Sequence, residues 1–272
     1  MTIDRPEYQN ILVMGKSGAG KQPRIDVLVE EYGLRQLSTG DIFRHYLGLL
    51  DSIDLALTES DLRDEHGRLV ANGRIKEMIA PYTSSTEELD ELVLGVKAGF
   101  YVNSGAFVPD ELVNDLMDDA FGKMGHKGAV LDGYPRTLVQ AHHLLKLVGE
   151  AGTRLDLVVL VDNEDGAIVK RTTGRRICTS CGKVFHIEYK PPKDGTTCTE
   201  CGAKVVQRSD DTEEKIWNRL REFHEKVEPT LDFLEQQGIP VAVVSGNLPV
   251  FTDEAVRESV LQAISMLESE DY

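Results

Sequence analysis

Asn10-Ile11-Leu12-Val13-Met14-Gly15-Lys16-Ser17-Gly18-Ala19-Gly20-Lys21 is the stretch on which the fold turns. Its first half reads as a short buried strand. Its second half is a glycine-rich turn, and Pro23–Tyr32 follows with helical spacing, Ile25, Leu28 and Val29 sharing one face. Strand, glycine loop and helix in this order match G-x4-G-K. Successive backbone N–H groups over Gly15, Ser17, Gly18, Ala19, Gly20, Lys21 and Gln22 can ring a phosphate there, and the lysine can reach further phosphate oxygens. The helix N-terminus adds partial positive charge. The competing reading is a tight turn with no ligand. The next residues are unusual: the lysine is followed by Gln22, Pro23 and Arg24 where a Ser or Thr is usual. Pro23 has no N–H to give, although proline is sterically comfortable in a first helical turn. Arg24 can turn back toward the phosphates or point to solvent.

Working outward, further apolar strands are expected at 128–132, 155–161 and 240–244. Helices are expected at 110–121, 137–148, 164–173, 212–237 (bent near Pro229) and 252–268. Asp210 and Glu213 have capping-box spacing before the long helix. Alternating strands and helices predict an α/β domain built on a parallel sheet covered on both faces. Two segments interrupt the rhythm. Residues 45–108 are long, polar and acidic and read as helices joined by loops, and 172–209 hold every cysteine of the chain.

The chain has 272 residues and 41% apolar content, enough for one large domain with insertions. A net charge of −16 argues against nucleic acid as a partner. No apolar run approaches the roughly 18 residues of a membrane span, and the polar start lacks a signal-peptide core, so a cytoplasmic protein is expected.

Cys178, Cys181, Cys198 and Cys201 form two C-x2-C pairs with sixteen residues between them. That spacing lets two turns present four thiolates to one tetrahedral Zn²⁺, with no open position. Arg171, Arg175 and Arg176 precede the first pair and Arg208 follows the second. A metal-pinned flap carrying arginines, joined to a phosphate loop, suggests a mobile cover over an anionic ligand. His186 reads as surface of that flap and Trp217 as a packing residue.

Several segments together resemble the adenylate kinase family. The phosphate loop is similar to its G-x-P-G-x-G-K-G-T, and Ser38-Thr39-Gly40-Asp41 with Arg44 to its STGD-x-x-R. Gly105-Ala106-Phe107-Val108-Pro109-Asp110 resembles GELVPD, and Leu131-Asp132-Gly133-Tyr134-Pro135-Arg136-Thr137 with Gln140 resembles LDGFPRT-x-x-Q. Arg171 to Arg176 resembles the family's lid entry, and Arg208 to Asp211 with Arg219 its lid exit. The gap between Arg44 and Pro109 is longer than the family pattern by about forty residues.

The resemblance implies a phosphate-loop kinase core with a five-stranded parallel sheet (1–37, 109–171 and 210–272). It adds a nucleoside-monophosphate domain (38–108, with an extra insertion at about 45–93) and a zinc lid (172–209). It implies ATP + AMP ⇌ 2 ADP with Mg²⁺. In that scheme Lys21 spans the transferred phosphate, and Arg44 and Arg136 hold the AMP phosphate. Arg171, Arg175, Arg208 and Arg219 close around ATP, and Asp41 and Asp132 orient Mg²⁺ through its waters. Thr39, Val108, Gly133 and Gln140 shape the AMP pocket, Gln140 reading the adenine edge. The backbone from Gly246 to Leu248 meets the ATP adenine. Asp210 and Asp211 pair with lid arginines. A monomer is implied, with the insertion as the alternative route to an oligomer. Two other readings stand beside this one. One is a kinase for another nucleoside monophosphate. The other is a nucleotide-binding regulator without turnover, motivated by Gln22-Pro23. A zinc-ribbon nucleic-acid binder is opposed by the charge.

Overall fold

The computed structural model describes residues 7–51, 53, 57–58, 60–83, 85–104, 108–208, 211–250 and 252–270. In chain order the elements are β1 (Asn10–Met14), α1 (Lys21–Tyr32), β2 (Arg35–Ser38), α2 (Thr39–Asp51), α3 (Asn72–Ile79), α4 (Thr86–Ser104), α5 (Asp110–Gly122), β3 (Ala129–Asp132) and α6 (Leu138–Glu150). There follow β4 (Leu157–Asp162), α7 (Asp165–Gly174), β5 (Arg175–Cys178), β6 (Val184–His186), β7 (Val205–Val206), α8 (Glu213–Glu222), α9 (Glu228–Gln236), β8 (Val241–Ser245) and α10 (Asp253–Glu270). The five long-range strands run β2-β3-β1-β4-β8 in one sheet, and β6-β5-β7 form a separate small sheet. The α/β class and the five-stranded parallel sheet are as expected.

By contacts the chain divides into two compact units. The first comprises residues 1–10 and 35–155. Within it β2 and β3 pair in parallel, Arg35 opposite Ala129 and Ser38 opposite Asp132. β2 carries one buried residue in four, as befits the strand at the end of the order. It is too polar and too short for periodicity to reveal. The long segment after Arg44 folds as helices around its own core of Leu62, Ile75, Ile79, Leu92, Val93, Val96 and Phe100, with Leu49, Leu50, Ile53 and Leu57 packed against it. The helical character expected there holds. Tyr46, fully buried, hydrogen-bonds Asp119, which Lys123 also reaches (2.7 Å), so α2 is tied to α5 by a polar contact. Ser84, Leu55 and Gly105–Phe107 lie outside the described residues.

The second unit comprises 11–34 and 156–272. Its strands pair in parallel, Ile11 opposite Leu157 and Val158 opposite Val241. β1 is buried along its whole length, which is why it reads as a continuous apolar run. α1 begins at Lys21, two residues before the proline-based expectation. Pro23 therefore occupies the first turn, where N–H groups have no helical acceptor and its missing donor costs the helix nothing. The helix expected at 212–237 is α8 and α9 joined by a π-helical turn at Phe223–Val227. Pro229 cannot donate, so the ladder shifts just before it: Glu228 N–H bonds Phe223 O. Asp210 lies outside the described residues, so its capping role does too; Thr212 occupies the N-cap without a side-chain cap bond. Trp217 is 42% exposed, so it is a surface residue and not a packing one; the buried face of α8 is made by Ile216 and Leu220. Among the described residues no helix is long and apolar enough to cross a membrane.

The candidate nucleotide site

In the second unit the loop after β1 is shaped by three glycines in backbone conformations closed to other residues. Gly15, Gly18 and Gly20 have φ of 145°, 88° and 99°. A Cβ on Gly15 would stand 2.5 Å from Val161 O, and one on Gly18 would stand 2.6 Å from Thr172 Oγ1. Lys21 folds back over the loop, its Nζ donating to Gly15 O (3.0 Å) and Lys16 O (3.4 Å). Gln22 turns along α1 to Asp26 (2.9 Å), away from the loop. Arginines from distant segments converge here. Arg171 donates to Gly18 O and to Gly246 O (3.1 Å), and Arg219 reaches Ser17 Oγ at 3.3 Å. Arg175 makes a two-pronged bond to Asp211, at 2.9 and 2.6 Å. Asp211 is wholly buried and also faces Arg219 at 3.8 Å. Arg208 is exposed, and Leu248 is half-buried beyond β8. Burial, with the charge of Arg175 beside it, lowers the Arg171 pKa. A cationic group held in that state gains from an arriving anion.

A second chain of charges borders the loop: Lys16 pairs with Asp165 (2.6 Å), Asp165 with His224 (2.9 Å), and His224 with Glu228 (2.8 Å). Sequence reasoning did not anticipate it. Its signal was a lysine in the second position of the loop.

In the same unit the cysteine segment forms the β6-β5-β7 sheet around Cys178, Phe185, Cys198 and Val205. The four sulfurs lie within 4.8 Å of one another, with Cys178–Cys201 at 3.4 Å and Cys181–Cys198 at 3.6 Å. Disulfides would need about 2.05 Å. Four thiolates about 2.3 Å from a tetrahedral Zn²⁺ stand about 3.8 Å apart, and the cluster fits that set. The four thiols act on one another: backbone N–H groups of Cys181 and Ser180 pull the Cys178 thiol down to about 6, while Cys181, despite a backbone N–H from Lys183, is pushed up to about 12 by the Cys201 and Cys178 thiols beside it. His186 is buried, not exposed, with Nδ1 accepting from Glu188 N–H (3.0 Å) and its ring stacked on Tyr189.

In the first unit Thr39, Gly133 and Arg136 come together. Thr39 Oγ1 donates to Gly133 O (3.4 Å) and Arg136 Nε donates to the same oxygen (2.8 Å). Gly133 has φ of 80°, and a Cβ there would stand 2.5 Å from Thr39 Oγ1 and 3.0 Å from Arg136 Nη2. Arg44 pairs with Asp41, both exposed. Val108 is half-buried ahead of α5. Gln140 is buried, and its amide is already engaged: the oxygen accepts Arg136 N–H (2.8 Å) and the nitrogen donates to Asp110 (2.7 Å). Asp132 Oδ1 is buried with no hydrogen-bond partner among the described residues.

A parallel sheet whose first strand runs into a guanidinium-ringed glycine loop defines an α/β protein of the phosphate-loop class. Comparison with known proteins takes this further. The family model for adenylate kinase matches residues 85–239, beginning inside the long extra segment. The adenylate kinase of Symbiobacterium thermophilum is 34% identical over 256 residues, covering 92% of this chain and 99% of its own. That of Bacillus cytotoxicus is 33% identical over 230 residues, covering 84% of this chain and 88% of its own. The chain belongs to the adenylate kinase family, in the form with a four-cysteine cluster, and is on that ground a phosphotransferase.

Proposed function

We propose that the chain catalyses ATP + AMP ⇌ 2 ADP, with the loop unit holding ATP and the Thr39–Gly133–Arg136 region holding AMP. The observation that carries the reading is the convergence of Arg171 and Arg219 on the phosphate loop from segments far away in sequence. Phosphoryl transfer between nucleotides demands neutralisation more than proton chemistry. The AMP phosphate is itself the nucleophile. Its oxygen bonds the γ-phosphorus as the bond to the β-bridging oxygen breaks, and the electron pair leaves on ADP. Lys21 follows the transferred group, Arg171, Arg175, Arg208 and Arg219 hold the triphosphate, and Arg44 and Arg136 grip the acceptor with planar forks. Gly15, Ser17, Gly18, Ala19, Gly20 and Gln22 supply loop contacts, and the turn at Gly246–Leu248 the adenine contact.

Magnesium, when bound with ATP, supplies charge neutralisation between phosphates. The orphaned Asp132 Oδ1 is suited to accept one of its waters, while Asp41 must first give up Arg44. Zinc is the metal suited to the four thiolates, where it fastens the lid (172–209) around a core too small to hold it alone. Residues 38–108 act as the AMP-side domain, 45–93 being its elaboration. The protein works as a cytoplasmic monomer, neither nucleic acid nor membrane being a partner. Gln140's engaged amide favours a second reading, in which another nucleoside monophosphate is the acceptor. ADP formation from ATP with AMP, CMP, UMP or GMP separates them. AMP should be preferred by more than tenfold; equal rates, or preference for another base, would overturn the assignment.

A further inference from the structure

Arg24 belongs to α1, three residues beyond Lys21, and is wholly buried. Its side chain does not reach solvent. It turns in beneath the loop, where Nη1 donates to Gly20 O (3.2 Å) and Nη2 to Ser245 O (2.7 Å). Arg171 makes the matching pair of bonds, to Gly18 O and Gly246 O. Each arginine thus joins one loop carbonyl to one carbonyl at the C-terminal end of β8, Arg24 to that of the strand's last residue and Arg171 to that of the next. The two guanidiniums approach each other: both Nη1 atoms lie within 3.5 Å of the place a Cβ on Gly20 would take.

We propose that Arg24 is a positioning residue for ATP, a buried staple that fixes the phosphate loop to the Ser245–Gly246 turn. It rests on the reading above, in which the loop holds the phosphates and the turn at Gly246–Leu248 the adenine. Joined this way, the two ends of the ATP site keep one spacing before the nucleotide arrives. A planar fork suits the task, because it reaches two carbonyls at fixed angles, whereas an ammonium offers one point charge on a flexible stem. The division of labour follows from burial. Arg24 is sealed in and stays on its carbonyls. Arg171, partly open, is free to exchange a carbonyl for a phosphate oxygen. Two cations this close beneath one loop also repel each other, and a bound phosphate relieves that repulsion. Pro23 removes one donor from the same helical turn. The staple compensates by ordering the donors that remain.

The test is binding of a non-hydrolysable ATP analogue by calorimetry to wild type, Arg24→Lys and Arg24→Met, alongside KM for AMP and thermal midpoints. Arg24→Met should weaken the analogue about ten- to a hundredfold, the loss expected for hydrogen bonds from a charged group. Arg24→Lys should lose about fivefold by keeping one carbonyl of two. KM for AMP should move less than about twofold in both variants. A folded Arg24→Met protein that binds the analogue as wild type does, even with a lower midpoint, overturns the proposal. So does equal weakening of both substrates. Should Arg24→Met fail to fold, wild-type affinity in Arg24→Lys overturns it alone. Binding is read without turnover. A wild-type protein that binds the analogue but makes no ADP would therefore sink the kinase reading and leave the staple standing.

Discussion

Replacing Gly246 by alanine tests how the two ends of the proposed ATP site are held together. The added Cβ would stand 2.2 Å from Ala19 O, 3.0 Å from Asp162 O and 3.2 Å from Ala19 C, all backbone atoms. No flexible side chain can yield. Ordinary contact begins near 3.4 Å, so the turn and the loop must part by about 1.2 Å. The same glycine gives its N–H to Asp162 O (2.6 Å) and its carbonyl to Arg171 (3.1 Å), so the movement also disturbs both bonds. A misplacement of about 1 Å costs about a hundredfold in rate, or about 2.7 kcal/mol of transition-state stabilisation, with a further 1–3 kcal/mol of stability lost to overpacking, roughly. Initial rates at varied ATP and saturating AMP, and the reverse, should show kcat/KM for ATP down about a hundredfold and KM for AMP within about twofold. Gly149→Ala in α6, where a Cβ meets nothing within 4 Å, is the control and should leave both parameters alone while raising the thermal midpoint slightly. Wild-type kcat/KM for ATP in a folded Gly246→Ala protein would refute the close packing of turn and loop.

Arg136→Lys and Arg136→Ala should each cut turnover by more than about tenfold with the fold intact, since a lysine cannot copy two-oxygen recognition. Near-normal rates in Arg136→Ala would remove it from the site. Metal analysis should find one zinc per chain, and chelation should melt the β6-β5-β7 sheet before the rest of the chain, followed by circular dichroism. Zinc-free protein from zinc-replete growth, or disulfides in its place, would contradict this. His224 supplies a pH signature. Its bond to Asp165, reinforced by Glu228, raises its pKa above the ordinary value. The stabilisation is therefore complete below about pH 6.5 and is lost as pH rises through the raised folded value. The midpoint difference between wild type and His224→Gln should shrink from about pH 6 to about pH 8. A constant difference would show that the imidazolium contributes nothing.

Local chemistry made much of this molecule readable. β1 is buried throughout, so its apolar run was unambiguous, and the glycines after it are required by positive φ and by contacts that admit no Cβ. The cysteine pairs announced their cluster because metal geometry fixes short spacings. What stayed hidden depends on partners distant in sequence. β2 has the polarity of a loop and becomes a strand only by pairing with β3, more than ninety residues on. Arg24 looks like any helical arginine until Ser245, 221 residues away, supplies its acceptor. His186 has the polarity of a surface residue yet is buried and stacked on Tyr189, and Trp217 has the bulk of a core residue yet is exposed, because exposure of a single aromatic follows from tertiary packing alone. Gln140 has the spacing for reading a base, yet its amide serves the Arg136 backbone and Asp110.

The most direct test of the central claim follows the phosphoryl group itself. ATP labelled at the γ-phosphorus is incubated with AMP, Mg²⁺ and the protein, and the products are resolved. The account predicts two ADP formed for each ATP consumed, with the label in the β-position of the ADP derived from AMP. Label released as inorganic phosphate, or remaining in ATP while the nucleotide is bound, would contradict it.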